Sequence, residues 1–130
     1  GLPIVKPPWG RITAFDMNEG EILWTIPNGP TPEEYADHPA LTGVPDTGRP
    51  TRPMVLATKS LLFTAEGWGG RPVLRAHDKS SGNMIAEVDL PGAVGGLPMT
   101  YAVGGRQFIV VSVAGEDAAE FVALTLPLED

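Results

Sequence analysis

The segment Ala14-Phe15-Asp16-Met17-Asn18-Glu19-Gly20-Glu21-Ile22-Leu23-Trp24 recurs as Ala76-His77-Asp78-Lys79-Ser80-Ser81-Gly82-Asn83-Met84-Ile85-Ala86. A period of about 62 residues, with short apolar strands on either side of an Asp-x-x-x-Gly turn, points to a radial all-β array rather than a helical solenoid. The fold expected is therefore a β-propeller. The 130 residues leave room for one domain at most. Ordinary propellers close with four or more blades of four strands, and this length supplies little more than two. Residues 1–130 are accordingly read as a partial propeller of about two to two and a half antiparallel blades, a segment of a larger ring.

Composition narrows the partners. A net charge of −7 with nine Lys and Arg spread along the chain argues against a phosphate-binding surface, so nucleic acid is not expected as a partner. The absence of cysteine excludes disulfides, thiolate metal sites and a Cys nucleophile. No run approaches the roughly 20 apolar residues of a membrane span. Gly1 opens directly into Leu2-Pro3-Ile4-Val5-Lys6, with no signal-peptide pattern, which in a segment says nothing about export.

Nine strand-like runs follow from apolar stretches bounded by Gly, Pro, Asn and Asp: Arg11 to Asp16, Glu21 to Ile26, Pro53 to Ala57, Leu61 to Ala65, Pro72 to His77, Met84 to Leu90, Pro98 to Val103, Gln107 to Val113 and Glu120 to Leu126. One short helix is expected over Pro32 to His38, with Thr31 as its cap. If Asp-x-x-x-Gly joins the third and fourth strands of a blade, the chain supplies strands three and four of one blade, a complete second, and strands one to three of another. The end at Leu126-Pro127-Leu128 then fits the last blade of a ring closed by a strand from the opposite terminus. The assignment also sorts the loops. Tight turns at Asp16 to Gly20, Thr58 to Ser60, Asp78 to Gly82 and Gly104 to Arg106 share one face. The loops Lys6 to Gly10, Pro27 to Arg52, Glu66 to Arg71, Pro91 to Leu97 and Ala114 to Ala119 share the other. Longer loops on one end of a rigid scaffold are where binding residues concentrate.

In each repeat the Asp is read as an acceptor for turn amides and the Gly as the residue that tolerates positive φ. Trp24 is read as an apolar anchor between blades, with its indole N–H finding a backbone carbonyl and small Ala14 leaving room beside it. Ala86 stands where the second repeat would carry that tryptophan, so a looser tie to the next blade is expected.

The pattern Ala-x-Asp-x-x-x-Gly-x-x-x-Trp resembles the tryptophan docking motif of the pyrroloquinoline quinone (PQQ) dehydrogenases, whose catalytic chain is an eight-bladed propeller. Lys6-Pro7-Pro8-Trp9-Gly10-Arg11-Ile12, Leu74-Arg75-Ala76-His77-Asp78-Lys79, and Pro98-Met99-Thr100-Tyr101 with Gly105 and Gln107-Phe108-Ile109-Val110-Val111 resemble the C-terminal region of quinoprotein glucose dehydrogenases. Ala86 and the loop Ala114-Gly115-Glu116-Asp117 depart from that pattern. The resemblance implies oxidation of a sugar or alcohol hydroxyl, with electrons passed through PQQ to a quinone or cytochrome in the periplasm. It also implies a calcium ion and a catalytic acid residue carried by blades outside this chain, so the 130 residues alone are expected to be inactive.

PQQ is a planar tricarboxylate, so its site needs apolar plates on its faces and cations or amides at its edge. By position in the family, Thr51-Arg52-Pro53 and Ala114-Gly115-Glu116 approach the cofactor, and Trp9 lies on the same face. Trp68, within Glu66-Gly67-Trp68-Gly69-Gly70, is expected to anchor its own loop. The two histidines, His38 and His77, stand in no zinc or triad spacing and are read as structural. Ser80 and Ser81 lie in a turn on the wrong face for a nucleophile. Glu116-Asp117 is read as a solvated loop tip. The competing class is a cofactor-free propeller acting as a binding or assembly scaffold. A weaker third is a small β protein that hides its open flanks by self-association.

Overall fold

The computed structural model describes residues 1–115 and 118–127. The expected features that involve Glu116, Asp117 and Leu128 lie outside the described residues. Nine strands form three antiparallel sheets. The first pairs β1 (Arg11–Asp16) with β2 (Glu21–Pro27). The second has the order β3 (Met54–Ala57), β4 (Leu61–Ala65), β5 (Val73–Asp78), β6 (Met84–Asp89). The third has the order β7 (Met99–Val103), β8 (Arg106–Ala114), β9 (Ala119–Leu124). Sheets of two, four and three strands reproduce the blade assignment read from the repeat, and strand bounds move by no more than two residues.

The Asp-x-x-x-Gly turns form as their residues require. Asp16 Oδ1 accepts the amides of Asn18 and Glu19 at 2.8 and 3.2 Å, and Asp78 Oδ1 accepts those of Ser80 and Ser81 at 2.9 and 3.0 Å. The Ser80 hydroxyl and then the Ser81 amide hold the Asp78 carboxyl below its ordinary value, which fits a carboxylate serving as turn acceptor.

The long connection differs from its sequence reading in the extent of its helix and in its cap. Its helix, α1, covers only Glu33–Ala36, is capped at Pro32, and has no side-chain cap. Pro39 disfavours α geometry at His38, which is extended (φ −72, ψ 126), and a single 3₁₀ turn follows over Pro39–Leu41. Thr31, expected as the cap, instead crosses the loop: its hydroxyl accepts the Thr47 amide at 3.1 Å and its own amide donates to Asp46.

Side-chain alternation along β4 and β5 gives the second sheet two unlike faces. Phe63, Ala65 and Leu74 join Leu90, Val94, Ile109, Val111 and Val113 in an apolar cluster that welds the second sheet to the third. Thr64, Arg75 and His77 lie on the opposite face, turned to the first sheet. β5 is consequently buried on both sides. Ala86, paired with Ala76 and exposed, contributes nothing to the second interface, which rests on the apolar cluster in place of a docking tryptophan.

The tryptophan reading of the first interface holds in atomic detail. Trp24 pairs with Ala14, and its Nε1–H donates to the Lys79 carbonyl of the next blade at 3.1 Å. Its ring lies on Gly82, where a Cβ would fall 2.9 Å from ring carbons. Gly82 also has φ +76, so both space and backbone demand glycine there.

The two loop faces are also as expected. Lys79 donates its amide to Ser60 O and its ammonium to Thr58 O, bringing the tight turns together at one end. At the other end, Asn28 bonds Gly10 and Arg49, Thr51 reaches Glu66, and Ala114 bonds Ala93. The antiparallel registers place the start of β3 beside the end of β4 and the start of β7 beside the middle of β8.

Candidate functional site

The long-loop end carries Thr51, Arg52, Pro53, Ala114, Gly115 and Trp9, the described residues singled out for the cofactor, but it treats them differently. Thr51 is fixed, its hydroxyl donating to the Glu66 carbonyl and its amide to Arg49 O at 2.8 Å. The Arg52 carbonyl packs against Gly67, leaving the Arg52 side chain exposed and without a hydrogen bond among the described residues. Pro53 is half-buried and leads into β3. Ala114 is exposed at the end of β8, with its amide committed to Ala93 O at 3.0 Å, and the Gly115 amide is committed to Ala118 O at 3.0 Å. Ala114 and Gly115 therefore shape the loop end and offer no free amide. No hydrogen bond or ion pair joins Thr51–Pro53 to Ala114–Gly115 among the described residues; they stand at the same end of successive blades.

Trp9 is held locally. Its Nε1–H donates to Val5 O at 2.8 Å, its amide to Thr47 O at 2.6 Å, and its ring meets Tyr35 edge-on at 5.4 Å. These contacts tie the segment before β1 to α1. Trp68 departs from expectation: it is 80% exposed at the loop tip and anchors nothing. Its loop is held instead by the carboxylate of Glu66, which accepts the Arg71 amide at 3.0 Å.

Sequence reasoning missed the charged cluster behind this loop. Arg75 donates from Nη2 to Glu66 Oε1 and from Nε to Glu87 Oε2, both at 2.7 Å, while Arg71 reaches Glu87 at 3.3 Å. Arg75 and Glu66 are 5% and 3% exposed, so this pair is shielded from solvent, unlike Arg71 at 49%. Gly29, with φ +79, lies directly on it: a Cβ there would stand 2.6 Å from Glu66 Oε1. The network thus locks the start of the long connection, the Glu66–Arg71 loop and β5 into one assembly. A charged residue inside the apolar run Val73-Leu74-Arg75-Ala76 is the signal that points to it.

His77 is structural, as its spacing suggests. A carbonyl only accepts, so Nδ1–H donates to Gly82 O at 3.1 Å, and the neutral ring then accepts the Thr64 hydroxyl at Nε2, 3.0 Å away. Burial pushes the imidazole below its ordinary 6.5, the Gly82 bond opposes this, and the Arg75 charge adds to the lowering. Because the folded form resists protonation, the stability from His77 is complete above 6.5 and is lost as pH falls from there towards the lowered folded value. The thermal midpoint is expected to drop between about pH 7 and about pH 5, and His77→Gln to flatten that slope, as read by melting curves across the range. An unchanged slope in the variant overturns the assignment.

No group of three or more His, Cys, Asp and Glu side chains suited to a metal ion exists among the described residues. Among the described residues, no helix is long and apolar enough to cross a membrane. Two clefts flank the charged cluster. One, of about 490 Å³, runs between the first two blades past Ile26, Arg75, His77 and Glu87. The other, of about 520 Å³, opens on the long-loop end between Pro30–Glu34, Arg49 and Gly69–Arg71.

Blades of up to four antiparallel strands, docked through a tryptophan onto the next Asp-x-x-x-Gly turn and opening long loops on one end, define a piece of a quinoprotein-type propeller. The family model for the β-propeller domain of PQQ glucose/ethanol/alcohol dehydrogenases matches residues 1–109, and the chain belongs to that family. It is 34% identical over 124 residues to the quinoprotein glucose dehydrogenase of Escherichia coli (strain K12), covering 88% of this chain and 14% of that protein. It is 31% identical over 118 residues to the glycerol dehydrogenase large subunit of Gluconobacter oxydans, covering 88% and 16%. Against the quinate/shikimate dehydrogenase (quinone) of Acinetobacter baylyi the identity is 34% over 119 residues, covering 88% and 14%. The chain thus spans about a seventh of the length of these relatives.

Proposed function

We propose that this chain forms blades of a periplasmic PQQ-dependent dehydrogenase that oxidises a sugar or alcohol hydroxyl to a carbonyl and passes the electrons to a quinone or a cytochrome. The observation that carries the reading is the long-loop end itself: a rigid blade end from which Arg52 projects unpaired among the described residues, in a chain whose relatives are named for glucose, glycerol and quinate or shikimate. All four names denote hydroxylated substrates.

The chemistry of the residues fits the cofactor's edge. A guanidinium presents parallel N–H donors to a carboxylate, and Arg52 has this group unpaired among the described residues while Thr51 and Gly67 fix its backbone. Pro53 and the Ala114–Gly115 turn supply uncharged walls, and Trp9 with Tyr35 closes the periphery. PQQ, when bound, would supply the acceptor for one hydride equivalent, that is two electrons and a proton, from the substrate carbon. This chain's part is to hold the cofactor's carboxylate edge and exclude water; calcium and the group that takes the hydroxyl proton belong to blades outside it. The exposed apolar residues of β6, β7 and β9, among them Met84, Ile85, Val88, Met99, Val103 and Phe121, are surfaces for those further blades or for self-association.

The test is a titration of PQQ and calcium into the complete protein that contains this chain, followed by quinone absorbance and by dye reduction with glucose, glycerol and quinate. Saturable binding with turnover is expected, and Arg52→Gln is expected to weaken PQQ about tenfold or more, the loss of one charge-assisted contact. A complete, folded propeller that ignores PQQ overturns the enzyme reading and leaves a scaffold.

A further inference from the structure

We propose that the cleft between the long connection and the Glu66–Arg71 loop is a separate ligand site for a small polyhydroxylated carboxylate, bound through Arg49. At about 520 Å³ it is of the size of small-molecule sites. Its polar lining is Thr31, Glu33, Glu34, Arg49, Glu66 and Arg71, and none of Thr51–Pro53 or Ala114–Gly115 contributes.

Thr31, Glu66 and Arg71 are already committed, the Thr31 hydroxyl to the Thr47 amide. Glu66 spends Oε1 on Arg75 and Oε2 on the Arg71 amide, and Arg71 leans on Glu87. Arg49 is different. Its backbone is fixed on both sides, the amide donating to Asn28 O at 2.8 Å and the carbonyl accepting Asn28 Nδ2 at 3.3 Å and the Thr51 amide at 2.8 Å. Asn28 is 1% exposed, and Gly10 packs so closely that a Cβ there would stand 1.8 Å from Arg49 O. Yet the guanidinium makes no ion pair among the described residues, and its Nε is buried without an acceptor. Buried donors in native proteins are nearly always satisfied, so an unmatched one on a rigid backbone beside a cleft points to an absent acceptor.

A guanidinium fork selects a carboxylate. Glu33 and Glu34, exposed on the cleft's other wall, accept from hydroxyls and repel a ligand whose charge is not confined to one end. Trp68, exposed beside the lining residue Gly69, offers a ring face to the C–H side of a polyol. One carboxylate with several hydroxyls meets all three.

The probe is sodium gluconate, titrated calorimetrically into the complete protein without PQQ, with glucose and acetate as controls that lack the carboxylate and the hydroxyls respectively. Saturable gluconate binding is expected, with both controls at least about tenfold weaker and Arg49→Gln weakening gluconate by a similar factor. Trp68→Ala, a change at an exposed tip that leaves folding intact, is expected to weaken gluconate a few-fold. Absence of gluconate binding, acetate competing as well as gluconate, or indifference to Arg49→Gln each overturns the proposal. Loss of PQQ affinity in Arg49→Gln without gluconate binding also overturns it and assigns Arg49 to the cofactor. Failure of the unaltered protein to bind PQQ bears only on the dehydrogenase reading.

Discussion

Replacing Arg75 by methionine is expected to lower the unfolding free energy by about 3–5 kcal/mol, because it strands a buried carboxylate. Glu66 is 3% exposed and its Oε1 has Arg75 as its ion-pair partner, so the variant keeps the desolvation of that charge and loses the attraction that offset it. Glu87, at 28% exposed, recovers water more easily. The companion Glu66→Met/Arg75→Met removes both buried charges and should regain much of the loss, since apolar groups of similar size replace such pairs at little net change. Arg71→Ala sets the scale at the other extreme. Its bond to Glu87 is long and half-exposed, and its removal should change stability by about 0–1 kcal/mol, with salt erasing even that. Urea unfolding of the complete protein at low and high salt reads all three. An Arg75→Met penalty no larger than that of Arg71→Ala would mean that Glu66 does not depend on Arg75 as its partner.

The contrast explains which parts of the molecule were open to sequence reasoning. Strand positions, the blade count and the division of loops between two ends follow from local rules: apolar runs, turn residues and a repeat. Those rules act over a few residues, so Asp16, Asp78, Trp24 and Ala14 sit where the pattern puts them. Glu66, Arg75 and Glu87 come together only through the register of β5 on β6 and the closing of the β4–β5 loop. Arg75 is the hub, and nothing local marks Glu66 as its partner; only the charge of Arg75 within an apolar strand points to the cluster. Arg49 is the harder case. It differs from Arg52 in sequence by nothing that predicts burial, and its setting is created by Asn28 and Gly10 from distant parts of the chain. Trp68 shows the reverse error, since a large aromatic flanked by glycines was expected to pack and instead projects, because Gly67 with φ +84 and Gly69 with φ +68 turn the backbone tip outward.

Trp24→Ala is expected to cost roughly 2–4 kcal/mol, somewhat below the range for a fully buried tryptophan because the ring is half-covered. Two losses combine: the ring's contact with Gly82, and the bond from Nε1 to Lys79 O, worth about 1 kcal/mol. Trp24→Phe separates them, keeping most of the apolar contact while leaving the carbonyl to water, and should cost about half as much. Gly82→Ala attacks the same contact from the other side. Its new methyl would meet the indole at 2.9 Å on a backbone with φ +76, so it is destabilising even though the residue adds apolar surface. If Gly82 and Trp24 act through one contact, the double variant Trp24→Ala/Gly82→Ala should cost less than the sum of the singles, because the methyl no longer meets a ring. Urea midpoints of the four proteins make this a closed cycle, and strict additivity would show that the tryptophan stabilises its own blade rather than the joint with the next. The apolar second interface provides the control: Val111→Ala, at 0% exposed in β8 of the third sheet and in the apolar cluster against the second, should destabilise through its own cavity by about 1–2 kcal/mol and add independently to either change.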